Sequence, residues 1–201
     1  MAERRADPFY RAAQHQGLRS RAAFKLAYLA ERFPLFHHGD RVLDLGAAPG
    51  GWSIVARECL GKSGSITAVD PRPVDAIPGV TVVRGRVGDP RLVPRLGSAP
   101  YDVVLSDMSP SISGAYSTDH ARSVTLVREA FALGRSVLRE GGTFVAKVFD
   151  GDLIPQLEGE LKGWFDRVIR TKPPASRERS SEFYLLGFGF HAEKRASRTG
   201  S

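Results

Sequence analysis

A chain of 201 residues is long enough for one substantial core, and its 42% hydrophobic and 25% charged content is that of an ordinary globular protein. No apolar run approaches the ~20 residues that span a bilayer, no apolar segment follows Met1-Ala2-Glu3-Arg4-Arg5, and a lone Cys59 can build neither an internal disulfide nor a thiolate cluster. Membrane, disulfide-scaffold and zinc-module classes are therefore disfavoured, a cytoplasmic location is expected, and the net charge of +7 favours a polyanionic partner such as nucleic acid.

In chain order, residues 1–19 read as a basic arm carrying Arg4, Arg5, Arg11 and Arg19, with little to pack. From Ser20, a candidate N-cap, the spacing of Ala22, Ala23, Phe24, Leu26, Ala27, Leu29 and Ala30 predicts a helix that must end before Pro34, with Lys25 near its start. Strands are then expected over 41–45, 65–69, 80–84, 101–106 and 143–149, with helices over 52–60, 89–96 and 118–138 and a shortened crossover at 71–78. Such alternation predicts a parallel sheet with helices on both faces. A helix over 153–164 precedes strands at 167–171 and 183–190, which are too close in sequence for a helical crossover and should pair antiparallel. The expectation is an α/β fold: a seven-stranded, mostly parallel sheet with one reversed strand, forming one domain over 20–191, then a disordered basic tail over 192–201.

The organising stretch is Val42-Leu43-Asp44-Leu45-Gly46-Ala47-Ala48-Pro49-Gly50-Gly51-Trp52-Ser53. It reads as strand, glycine turn and helix, and such a turn lets a ligand approach the backbone while the helix start offers free N–H groups. The spacing is not GxGxxG, which argues against a dinucleotide fingerprint and leaves a nucleotide-like cofactor. Ligands of open α/β sheets sit beyond the strands' carboxyl ends, so the residues closing each strand are candidates. Asp70, about twenty residues past the turn, is placed to accept ribose hydroxyls, although a turn residue before Pro71 reads the same way. Asp107 closes the fourth strand, and Glu182 opens the last. Lys147 lies inside the apolar run 144–149, where an ammonium needs either a carboxylate partner or a function.

Gly17-Leu18-Arg19-Ser20-Arg21-Ala22-Ala23-Phe24-Lys25-Leu26, the glycine turn, Asp107-Met108-Ser109-Pro110, Lys147-Val148-Phe149 and Arg179-Ser180-Ser181-Glu182-Phe183-Tyr184 resemble, in order and over most of the chain, the FtsJ-like RNA 2′-O-ribose methyltransferases. The resemblance implies a Rossmann-like class I methyltransferase fold that uses S-adenosyl-L-methionine. The implied substrate is a uridine ribose in large-subunit ribosomal RNA, free or in the assembled subunit, and a monomer without metal is expected. It also implies a catalytic tetrad of Lys25, Asp107, Lys147 and Glu182. Gly50, Gly51 and Trp52 would line the methionine portion of the cofactor, Asp70 its ribose, and Asp107 would serve both cofactor and tetrad. One position departs: Arg86 stands where the family commonly has an acidic adenine contact.

The tetrad also makes chemical sense. In-line displacement on a sulfonium methyl requires an aligned ribose oxygen and a group that removes its proton. Lysine can accept a proton if a neighbouring cation and desolvation lower its pKa, whereas arginine cannot. The chain has only six lysines, and two fall on tetrad positions. Lys147 is read as the base and Lys25 as the tuning cation. Candidate RNA contacts are the arm's arginines, Arg177, Arg179 and Tyr116. A tRNA ribose methyltransferase and a non-catalytic RNA-binding assembly factor are the competing readings.

Overall fold

The computed structural model describes residues 21–97, 100–173 and 181–194. The 1–19 arm and residues 195–201 of the expected tail lie outside these, as do Arg177 and Arg179.

Helix α1 (Arg21–Arg32) carries the amphipathic pattern of its sequence and buries Ala23, Leu26 and Leu29. It leads to β1 (Arg41–Leu45), α2 (Gly51–Leu60), β2 (Ser65–Asp70), β3 (Val80–Arg84), β4 (Tyr101–Ser106), α3 (Tyr116–Val137), β5 (Leu138–Phe149), α4 (Ile154–Lys162), β6 (Phe165–Thr171) and β7 (Glu182–Phe190). The strands form one sheet in the order β3-β2-β1-β4-β5-β7-β6. Pairing is parallel except around β7, which runs antiparallel to both β5 and β6, so the single reversed strand is where the short β6–β7 link requires it.

Strand pleating divides the core in two. Val42, Val103, Leu105, Val145, Tyr184 and Leu186 face α1 and α2, while alternate residues such as Leu43, Val104, Phe144, Ala146 and Leu185 face α3 and α4. Both faces are covered, which is why the central strands read as continuous apolar runs.

Two expectations are corrected. The 89–96 segment forms only a 3-10 turn, Val93–Arg95. Pro94 inside it has no N–H to give and would clash with the preceding turn of an α-helix, yet Leu92 and Leu96 still bury. Strand β5 begins at Leu138 rather than 143, directly from α3, with a register shift against β4 between Tyr101 and Val103. No helix among the described residues is long and apolar enough to cross a membrane.

Candidate active site

The turn after β1 depends on two glycines. Gly46 has φ +78°, and a Cβ there would come within 2.9 Å of the Met108 backbone nitrogen, so only glycine lets the ends of β1 and β4 abut. Gly50, at φ +118°, turns the chain into α2, whose first N–H groups have no intrahelical acceptor. Under the turn lies Asp44, fully buried, accepting a 2.6 Å hydrogen bond from Ser53 Oγ; its Oδ1 has no partner. Burial pushes the Asp44 carboxyl up to about 7, and the nearby charges of Asp107 and Asp70 push the same way.

Asp70 is 2% exposed and accepts the Ala48 N–H at 3.0 Å. Arg72 takes most of what remains: its backbone N–H and Nε reach Oδ1 at 2.8 and 3.1 Å, and its guanidinium reaches Oδ2 at 3.2 Å and the Ala48 carbonyl at 3.2 Å. Burial alone would raise the Asp70 pKa, but the bonds from Arg72 and Ala48 outweigh it and hold the carboxyl below its usual range. Arg72 had no role in the sequence reading, because nothing in a Pro-Arg-Pro turn shows that its guanidinium folds back onto the preceding strand's last residue.

The four tetrad positions form two ion pairs on the α1/α2 side of the sheet. Lys147 Nζ lies 2.9 Å from Asp107 Oδ1 and donates to the Asp107 carbonyl at 2.8 Å. Lys25, from α1, pairs with Glu182. Both lysines are under 10% exposed. The pairing register explains the convergence. Tyr184 sits across from Lys147 and Glu182 across from Phe149, and opposite residues of an antiparallel pair point to the same face. Tyr184 lies beside Asp107. Its ring contacts Trp52 at 5.7 Å, and burial together with the neighbouring Asp107 raises its phenol pKa, so it stays protonated.

A cavity of about 510 Å³ opens at this rim, with Gly46, Ala48, Asp70, Arg86, Asp107 and Lys147 among its walls. Gly50, Gly51 and Trp52 are not among those walls. Trp52 is 2% exposed, and its indole Nε1–H donates to the Ala22 carbonyl at 2.8 Å, so its side chain ties α2 to α1. Tyr116 is exposed, but its hydroxyl donates to the Asp150 carbonyl at 2.7 Å.

Two further residues fix the end of β5. Ser123 Oγ accepts the Phe149 N–H at 3.1 Å, and the buried His120 ring meets the Phe149 carbonyl at 2.9 Å and accepts the Leu153 N–H at 3.1 Å. These bonds assign His120 as the neutral Nδ1–H tautomer. The pairing was hidden in the sequence because it joins residues about thirty positions apart.

Opposite charges meet at this rim. Three carboxyls, Asp44, Asp70 and Asp107, lie near one glycine turn; Asp70 is paired with Arg72 and Asp107 with Lys147, and both raise the pKa of the unpaired Asp44. Among the described residues no group of three or more His, Cys, Asp or Glu side chains is arranged to hold a metal.

The FtsJ-like methyltransferase family profile matches residues 18–190. The chain is 45% identical over 188 residues to the ribosomal RNA large subunit methyltransferase E of Archaeoglobus fulgidus, covering 92% of this chain and 97% of that relative. It is 43% identical over 191 residues to the protein of the same designation from Gluconobacter oxydans, covering 94% and 70%. Among solved structures, a Plasmodium falciparum protein assigned as a ribosomal RNA methyltransferase superposes with a TM-score of 0.78 at 29% identity, covering 86% of this chain and 98% of that one. A methyltransferase-assigned protein from Streptococcus mutans, solved in complex with SAH, shares the fold at a TM-score of 0.54 and 10% identity, covering 86% and 99%.

Proposed function

Because the chain belongs to the FtsJ-like methyltransferase family, it is an RNA methyltransferase, and on that premise we propose that it methylates the 2′-hydroxyl of a uridine ribose in large-subunit ribosomal RNA, using S-adenosyl-L-methionine. The observation that carries this reading is the pair of buried ion pairs, Lys147–Asp107 and Lys25–Glu182, on one face of the rim, with Lys147 and Asp107 in the wall of the cavity.

When bound, the cofactor supplies an electrophilic sulfonium methyl. The protein's part is placement and proton removal. The backbone N–H groups of Gly51 and Trp52 at the start of α2, just outside the cavity wall, would be donors for the carboxylate end of the methionine. Asp70 is the acceptor for the cofactor ribose, which requires the Arg72 guanidinium to release it. Arg86 lines the same cavity, so the adenine is left to backbone and apolar contacts there. Lys147, as the neutral amine, would take the proton of the target hydroxyl. Asp107 orients Lys147 by accepting at both its carboxylate and its carbonyl, and Glu182 positions Lys25 as the second cation beside the developing oxyanion. Burial sharpens these electrostatic effects.

The substrate is tested with purified protein, a methyl-labelled cofactor, and separate pools of tRNA and of large ribosomal subunits from cells lacking the modification. Label in large-subunit ribosomal RNA is expected. Label confined to tRNA would move the substrate to the competing class, and no transfer to any RNA would leave the non-catalytic reading.

A further inference from the structure

A second cavity, of about 340 Å³, lies at the same carboxyl rim one step toward the sheet edge, and Glu182 of the tetrad is in its wall. Its other walls include Asp150, Arg170, Lys172 and Phe183. By strand alternation Glu182 faces α1 and α2 with the lysines, whereas Phe183 packs in the opposite core. The cavity therefore runs across the strand end from the tetrad to the other face of the sheet.

Its cation is held in place rather than trailing in solvent. The Arg170 guanidinium carbon stacks 4.0 Å over the Phe183 ring, and its terminal nitrogen donates to Asp150 Oδ1 at 2.8 Å. Asp150 is itself fixed, with its N–H on the Ser181 carbonyl at 2.7 Å and its own carbonyl accepting the Tyr116 hydroxyl. A guanidinium carries five N–H donors in a planar fork suited to two oxygens of one phosphate. Lys172, two residues on and exposed, adds a second positive charge. An RNA strand whose target ribose reaches the tetrad must lead its adjoining phosphates away along the rim, and this cavity, which sets the cations Arg170 and Lys172 beside the carboxyls of Asp150 and Glu182, adjoins the tetrad there.

We propose that the cavity between β5, β6 and β7 is a phosphodiester-binding subsite for the acceptor RNA, with Arg170 and Lys172 holding a backbone phosphate next to the methylated nucleotide. The proposal rests on the RNA-methyltransferase reading and names the residues that place the strand. Arg170 is a positioning residue: it touches the substrate backbone and not the reacting atoms.

The test follows a fluorescent single-stranded oligoribonucleotide by anisotropy across a salt series, with SAH binding measured separately. Arg170→Ala and Lys172→Ala should each weaken RNA binding by about three- to tenfold, lower the salt slope by about one, and leave SAH binding unchanged. Arg170→Lys, which keeps the charge without the fork, should recover part of the loss. Because Arg170→Ala also leaves the Asp150 carboxylate unpaired, the Arg170→Ala/Asp150→Asn double variant must stay weak. Recovery in that double variant would show that the loss came from Asp150 repulsion and overturn the proposal, as would unchanged RNA affinity and salt slope in both single variants. Transfer assays on the same proteins keep the two readings apart, since wild type that binds RNA but methylates none contradicts the enzymatic reading and leaves the subsite result standing.

Discussion

At residue scale, the carboxyls around the glycine turn carry two consequences. Burial pushes the Asp44 carboxyl from its ordinary 3.8 up to about 7 in the folded chain. Between those values the folded protein holds a proton that the unfolded chain has released. This favours folding at the acid end, and the contribution is lost as pH rises toward 7. Asp44→Asn should therefore gain stability relative to wild type as pH goes from 5 to 8, measured by urea denaturation. Parallel stability profiles would contradict the burial argument. The second consequence concerns Asp70, whose acceptor positions are largely taken by Arg72 and Ala48. If the cofactor ribose must displace that side chain, Arg72→Leu should tighten SAH binding about threefold or more, because the ribose then no longer competes with a guanidinium for the buried Asp70 carboxylate. Weaker binding would mean that Arg72 holds the cofactor itself. SAH is the better probe, since it lacks the sulfonium charge.

At the scale of elements, the placement of Lys147, the proposed base, depends on how the end of β5 is held. Lys147 is two residues before Phe149, whose N–H and carbonyl are bound by Ser123 and His120 of α3. Ser123→Ala leaves that N–H without its acceptor and should cost about 1–2 kcal/mol in calorimetric stability. It should also lower kcat while SAH binding is unchanged. A loss of stability with no effect on kcat would confine the contact to folding. How far the sequence disclosed the structure differs by element. Strands buried on both faces announced themselves as apolar runs, and the brevity of the link between 171 and 183 required the reversed strand. The 89–96 segment was misleading because Leu92 and Leu96 bury on helical spacing while Pro94 forbids the helix. Gly141 and Gly142, outside the strand expected over 143–149, lie inside β5 beside a register shift.

Over the whole molecule, the full tetrad was legible only as a set. Lys147 stands out by itself as an ammonium inside an apolar run, whereas Lys25 does not; what brings the four together is the pairing of a reversed strand with β5 and the packing of α1 across the same face. The contact of His120 with Phe149, twenty-nine positions away, gave no local signal, and that of Arg72 with Asp70 was missed although they lie only two positions apart. The basic balance of +7 fits a polyanionic substrate, and catalysis should weaken with salt through KM for RNA more than through kcat. The most direct test of the whole account is nucleoside mass analysis of unmodified large ribosomal subunits treated with S-adenosyl-L-methionine and either wild type or Lys147→Met. The account predicts 2′-O-methyluridine with wild type and none with Lys147→Met, while that variant still binds SAH as wild type does. A base-methylated nucleoside, or full ribose methylation by Lys147→Met, would contradict it.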